Sequence, residues 1–117
     1  MKEFLLLFRG GEEGMAEAAQ SPEKFQQQMV KWKVWMEGIG KQGKLIAGHP
    51  LGNEGKVIRE KGTVVTDGPF VEGKELVGGY LMIRADGFPD AVAMAKNCPI
   101  FDYDGIVEVR EVQAGPV

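Results

Sequence analysis

Apolar positions along the chain change their period several times, and each change marks an element. Glu3–Arg9 carries the apolar run Phe4–Phe8. A run of that length, apolar toward both faces, predicts a central strand covered on both sides. Phe25, Met29, Trp32, Met36 and Ile39 then recur at spacings of four, three, four and three, which is one face of an amphipathic helix. Ser21-Pro22-Glu23 supplies its start: a capping hydroxyl, a proline at the first helical position and an acid in the first turn. Gly40 and Gly43 are expected to end it. Gly10–Gln20, rich in Gly, Ala and Glu without a clear period, reads as a mobile loop.

Farther on, Lys44–Leu51 reads as a strand closed by Pro50 and Gly52. Lys56–Glu60 and Thr63–Thr66 form a hairpin turned at Lys61-Gly62. Gly68–Glu75 is a charged turn, and Val77–Arg84 a further strand. A second helix opens at Asp86–Asp90, with Pro89 near its start and Pro99 forbidding its continuation. Ile106–Val112 is the last strand, and Gln113–Val117 a frayed tail. The order is β-α-β-(hairpin)-β-α-β. It predicts an α+β, ferredoxin-like fold with an antiparallel sheet and both helices on one face.

Alternation then separates the two faces of that sheet. Leu81, Ile83, Val107 and Val109 fall under the helices. Tyr80, Met82, Arg84, Ile106, Glu108, Arg110 and Val112 fall on the other side, which is too apolar to stay bare. A second subunit covering that face, in a two-fold homodimer, is the expected solution.

Composition narrows the setting. The 117 residues fit one domain, and 44% hydrophobic with 26% charged residues is ordinary for a globular protein. A net charge of −3, without a basic stripe, argues against a nucleic-acid partner. Cys98 is the only cysteine, so no disulfide framework exists and a reducing, cytoplasmic compartment is expected. No apolar run reaches the length of a membrane span or signal core.

One stretch carries a family resemblance. Thr66-Asp67-Gly68-Pro69-Phe70, followed by Glu72, Lys74-Glu75 and Gly78-Gly79-Tyr80, closely resembles the DGPF signature of the YCII-related (DGPF-domain) proteins. The likeness continues through Ala91–Lys96, Cys98-Pro99 and Val107–Arg110, and reaches back to the first strand and helix. It implies a dimeric α/β barrel, in which two ferredoxin-like sheets face each other. The wider superfamily includes muconolactone isomerases, small monooxygenases and stress-responsive barrels. YCII-like members are proposed to use a His–Asp pair, and some members occur beside or fused to alternative sigma factors. Here the first helix reads Met29-Val30-Lys31-Trp32-Lys33-Val34-Trp35 and lacks that His.

Candidate chemistry is sparse. Asp67 before Gly-Pro can close an Asx-turn, or act as a general base at a pocket edge. His49 is the only histidine and could exchange protons near neutral pH, or simply cap a strand end. One histidine makes a transition-metal site a poor reading. Glu72, Lys74 and Glu75 are either a solvated run or the mouth of a pocket. Arg110 could hold a ligand carboxylate or pair with Glu108. Tyr80 joins Lys74, Glu75 and Arg110 as a candidate ligand contact. Trp32 falls on the apolar stripe, whereas Trp35 lies off it, toward a cleft. Cys98 reads as buried and inert. No cofactor motif appears, and Gly78-Gly79 leads into a strand rather than a phosphate-binding helix. Two functions stay open: a cofactor-free acid–base enzyme with its pocket beside Asp67, or a non-catalytic ligand-binding or regulatory dimer.

Overall fold

The computed structural model describes residues 1–68 and 75–116. Four strands form one antiparallel sheet: β1 (Lys2–Arg9), β2 (Leu45–Pro50), β5 (Val77–Ala85) and β6 (Ile106–Glu111), in the order β2-β5-β1-β6. Between β2 and β5 the chain makes a separate two-stranded sheet, β3 (Gly55–Arg59) and β4 (Val64–Gly68). Helices α1 (Glu12–Ala19) and α2 (Pro22–Lys41) follow β1, and α3 (Phe88–Ala95) follows β5. This is the expected ferredoxin-like α+β arrangement.

Period-two burial sets the core. Phe4, Leu6 and Phe8 of β1, with Leu81, Ile83 and Ala85 of β5, are buried under the helices. They meet Ile39 of α2, Ala91 and Ala95 of α3, and Cys98. Burying one such aliphatic or aromatic side chain stabilises by about 1.5–3 kcal/mol. Phe4 also meets Phe88 edge-on, ring centres 5.0 Å apart. The opposite face holds Leu5, Leu7, Tyr80 and Met82, all partly exposed, and Ile106, which is exposed. On β5 and β6, Leu81, Ile83, Val107 and Val109 thus lie on the face assigned from alternation, whereas β1, expected to be covered on both sides, is buried on one face and partly exposed on the other.

Helix α2 begins as its residues dictate. The Ser21 side chain accepts from the Lys24 N–H at 3.4 Å, and Pro22 occupies the first turn. The helix runs through Gly40 to Lys41 and stops at Gly43, whose φ of +71° suits a residue without Cβ. Gly40 therefore does not end it.

The segment expected to be a loop contains α1. Gly10 and Gly11 take positive φ and turn the chain out of β1, and the helix then packs on α2 and on the 3-10 turn Pro99–Tyr103. Helix packing supplies the order that periodicity did not announce.

The second departure concerns Trp35. It does not look into a cleft: its indole Nε1–H donates to the Met94 carbonyl at 3.0 Å and ties α2 to α3. Phe8, Trp32 and Trp35 form an edge-to-face cluster with centroid separations of 5.3, 5.8 and 6.1 Å. A part-buried ion pair, Lys44 to Asp90 at 3.1 Å, fastens the start of β2 to α3. Asp90 also accepts from the Asp86 backbone N–H at 3.0 Å.

Candidate functional site

The end of the sheet where β1 stops and β5 starts is hollow. A cavity of about 410 Å³ lies there, between the sheet and the helices. Phe8 and Leu81 come from the sheet, Met15 from α1, Met29, Trp32 and Met36 from α2, and Ile100 and Tyr103 from the 3-10 turn. Glycines help to make the space. Gly48 and Gly79 belong to the helix-covered face and leave room where side chains would stand. A Cβ on Gly79 would come within 3.1 Å of the His49 carbonyl and 3.7 Å of the Phe8 ring. Glycine inside a strand weakens it and often marks a close approach of ligand or backbone.

Polar groups are few in this wall. His49, Asn53, Tyr80 and Tyr103 contribute, and no Lys, Arg, Asp or Glu does among the described residues. His49 and Tyr80 are register partners across β2 and β5. Alternation turns both rings toward the open face of the sheet, where their centroids are 5.8 Å apart. Their strands therefore border the cavity, while the rings stand on the opposite face of the sheet. Burial pushes the Tyr103 phenol upward from its ordinary pKa, with the Asp102 charge adding to the effect. Asp102 is itself held below the ordinary carboxylate range by Lys31, at 3.0 Å, and by the Gln28 amide, at 3.3 Å.

A wider, polar hollow of about 550 Å³ lies outside α1 and α2, lined by Glu17, Lys24, Gln27 and Gln28. Tyr103 borders both spaces. The outer hollow brings together long solvated side chains, not convergent chemistry.

The remaining sequence candidates lie elsewhere. Asp67 stands on β4 opposite Lys56 of β3, is ion-paired with it, and has 84% of its side chain exposed. It does not line the cavity. Glu75 is an exposed turn residue just before β5. Arg110 is 69% exposed on the open sheet face, its Nε 3.9 Å from Glu108, which also pairs with Arg9 at 3.2 Å. Pro69, Phe70, Glu72 and Lys74 of the charged turn lie outside the described residues. Cys98 is 3% exposed, and burial pushes its thiol up to about 12.

Sequence reasoning missed Met15, Asn53, Ile100 and Tyr103 as cavity residues. His49 and Tyr80, named from the sequence, and Met29, Trp32 and Met36 of the α2 stripe do belong to its lining. Among the described residues no three His, Cys, Asp or Glu side chains gather as a metal site requires, and no helix is long and apolar enough to cross a membrane.

The family model of the YCII-related domain matches residues 4–114, which takes in every element above except the first two residues of β1. The chain belongs to the YCII-related family. No curated protein matches it as a relative. This YCII-related chain is also similar in fold to a solved structure, the 5-chloro-2-hydroxyhydroquinone dehydrochlorinase of Burkholderia phenoliruptrix AC1100 in complex with 2,5-dihydroxybenzoquinone. The TM-score is 0.56 at 13% identity, covering 97% of this chain and 95% of that one. At that identity the likeness speaks for the fold.

Proposed function

We propose that this YCII-related chain binds a small, largely apolar organic molecule in the cavity beneath α1 and α2, and moves protons on it without a cofactor. The cavity carries the reading. Its volume of about 410 Å³ lies in the range of small-molecule sites, and its wall is apolar with a few polar groups, as such sites are. His49, on the strand that borders the cavity, is the candidate proton-transfer group, because an imidazole can both accept and donate a proton, and Tyr80 is its neighbour. Asp67, Glu75 and Arg110 are outer polar groups of the same proposal, and Lys74 remains a candidate ligand contact in it. Support also comes from the dehydrochlorinase, which places small-ring chemistry on this fold. The working unit is a homodimer closed over the open sheet face, in the cytoplasmic setting that a lone buried cysteine suits.

A second reading, ligand binding or regulation without turnover, is favoured by Asp67. A carboxylate so exposed, and paired with Lys56, is neither buried nor in the cavity wall. Thermal melting against a set of small ring compounds, followed by turnover assays on the stabilising ones, tests both. Turnover that is lost in His49→Gln with binding retained supports the enzyme. Stabilisation without turnover supports the second reading. No stabilisation by any compound contradicts both.

A further inference from the structure

We propose that the β3–β4 hairpin is an arm that seats on a second copy of this chain. The inference rests on the homodimer put forward above, and goes beyond it by naming the element that clasps the partner.

The hairpin stands apart. It shares no ladder with the four-stranded sheet, and among the described elements it packs extensively only on its own turn, Glu60–Gly62. The Cα radius of gyration is 15.8 Å. A compact chain of this length would have roughly 13 Å. A two-stranded hairpin alone in water is marginally stable, so its order asks for a surface to rest on.

Its outer face is built to meet one. Ile58 stands opposite Val65, and Lys56 opposite Asp67. Alternation puts these four on one face, with the half-buried Val57 and Thr66 on the other. Ile58 and Val65 are 66% and 60% exposed. An apolar pair flanked by charge is the make-up of an interface patch with a polar rim.

Interface size selects the occupant. The chain is a slab 18 Å thick, one sheet layer under one helix layer, with the other sheet face uncovered. From strand spacing and rise, the open face of the four strands is about 500 Å² in flat area, and one face of the arm about 160 Å². A stable interface needs roughly 800 Å² per partner. The sheet face alone is at the lower margin of that size, since accessible area exceeds flat area. In a two-fold pair each copy adds its own arm and the surface that the partner's arm covers, which brings the sum to that size. The legs of the arm leave from Leu51 and Asn53 and return before Gly78, all on the cavity rim. Seating the arm therefore also fixes one side of the cavity mouth.

Sedimentation velocity across micromolar concentrations, with hydrogen exchange of the β3 and β4 amides, tests this on the full chain. The wild type should sediment as a dimer with slow exchange in the arm. Ile58→Asp/Val65→Asp changes only exposed side chains, so far-UV circular dichroism should be unchanged. Its dimer dissociation constant should rise about tenfold or more, as when interface anchors are lost, with fast exchange in the arm. A dimer unaffected by this pair but broken by Ile106→Arg on the open face overturns the arm and leaves the dimer standing. A wild type that is monomeric throughout overturns both. A monomer with a protected arm means that the arm rests on its own chain, and equally overturns the inference.

Discussion

Gly14 of α1 lies directly against the ring of Tyr103: a Cβ on Gly14 would come within 2.7 Å of Tyr103 Cβ and Cγ. That contact seats α1 over the cavity. Two opposing magnitudes decide what Gly14→Ala does. Alanine in a helix interior gains about 0.5–1 kcal/mol over glycine. Overpacking a tight contact costs about 1–3 kcal/mol. The variant should be destabilised in chemical denaturation. On a Tyr103→Gly background, which removes Cβ and the ring together, the clash is absent, and the same change should become stabilising. A double-mutant cycle with no coupling would contradict the contact.

Trp35 makes a different kind of prediction. Trp35→Phe keeps an aromatic ring beside Phe8 but removes the indole donor, leaving the Met94 carbonyl with the Asn97 N–H at 3.3 Å. The expected loss is about 0.5–1.5 kcal/mol in equilibrium unfolding, the net contribution of one hydrogen bond. Trp32→Phe breaks no such bond and should mainly alter what the cavity binds.

Why these two residues escaped the sequence reading is physical. Gly10, Gly11 and Gly14 make the α1 segment look unstructured, yet the first two turn the chain and the third lets a helix approach a ring. Trp35 falls off the apolar stripe because it reaches sideways to a helix that lies 59 residues away in the chain. The strands and α2 were legible, since each states its own period. The cavity was not. Its wall takes a few residues each from β1, α1, α2, β2, β5 and the Pro99–Tyr103 turn, and no local spacing encodes such a meeting. Asp67 drew notice through its motif, but a motif does not fix distance from a cavity.

Acid should weaken the joint between β2 and α3. The Asp86 backbone N–H first, and Lys44 second, hold Asp90 below its ordinary value of 3.8. A carboxyl depressed in the folded state stabilises fully above its unfolded value and loses that contribution as pH falls through the folded one. Stability from Asp90 should therefore be complete above about pH 4 and decline below it. Asp90→Asn should lower stability near neutrality and flatten the acid limb of the curve, as read by urea midpoints against pH.

Cys98 should resist thiol reagents in the native protein at mildly alkaline pH and react once the chain unfolds, because the buried thiol stays protonated up to about 12. The same shift has an alkaline consequence. The unfolded thiol ionises near 9 while the folded one does not, so stability falls as pH climbs from about 9 toward 12. Rapid labelling of the native form would contradict the packing of β1, α3 and the following turn around it.

The most direct test of the central claim is a backbone-amide NMR titration of the full chain with a hydroquinone-sized ring compound that raises its melting temperature. Saturable shifts gathered at Met15, Gly48, Gly79 and Ile100 are predicted. Shifts confined to β3 and β4 around Asp67, with the cavity amides unmoved, would contradict the cavity as the binding site.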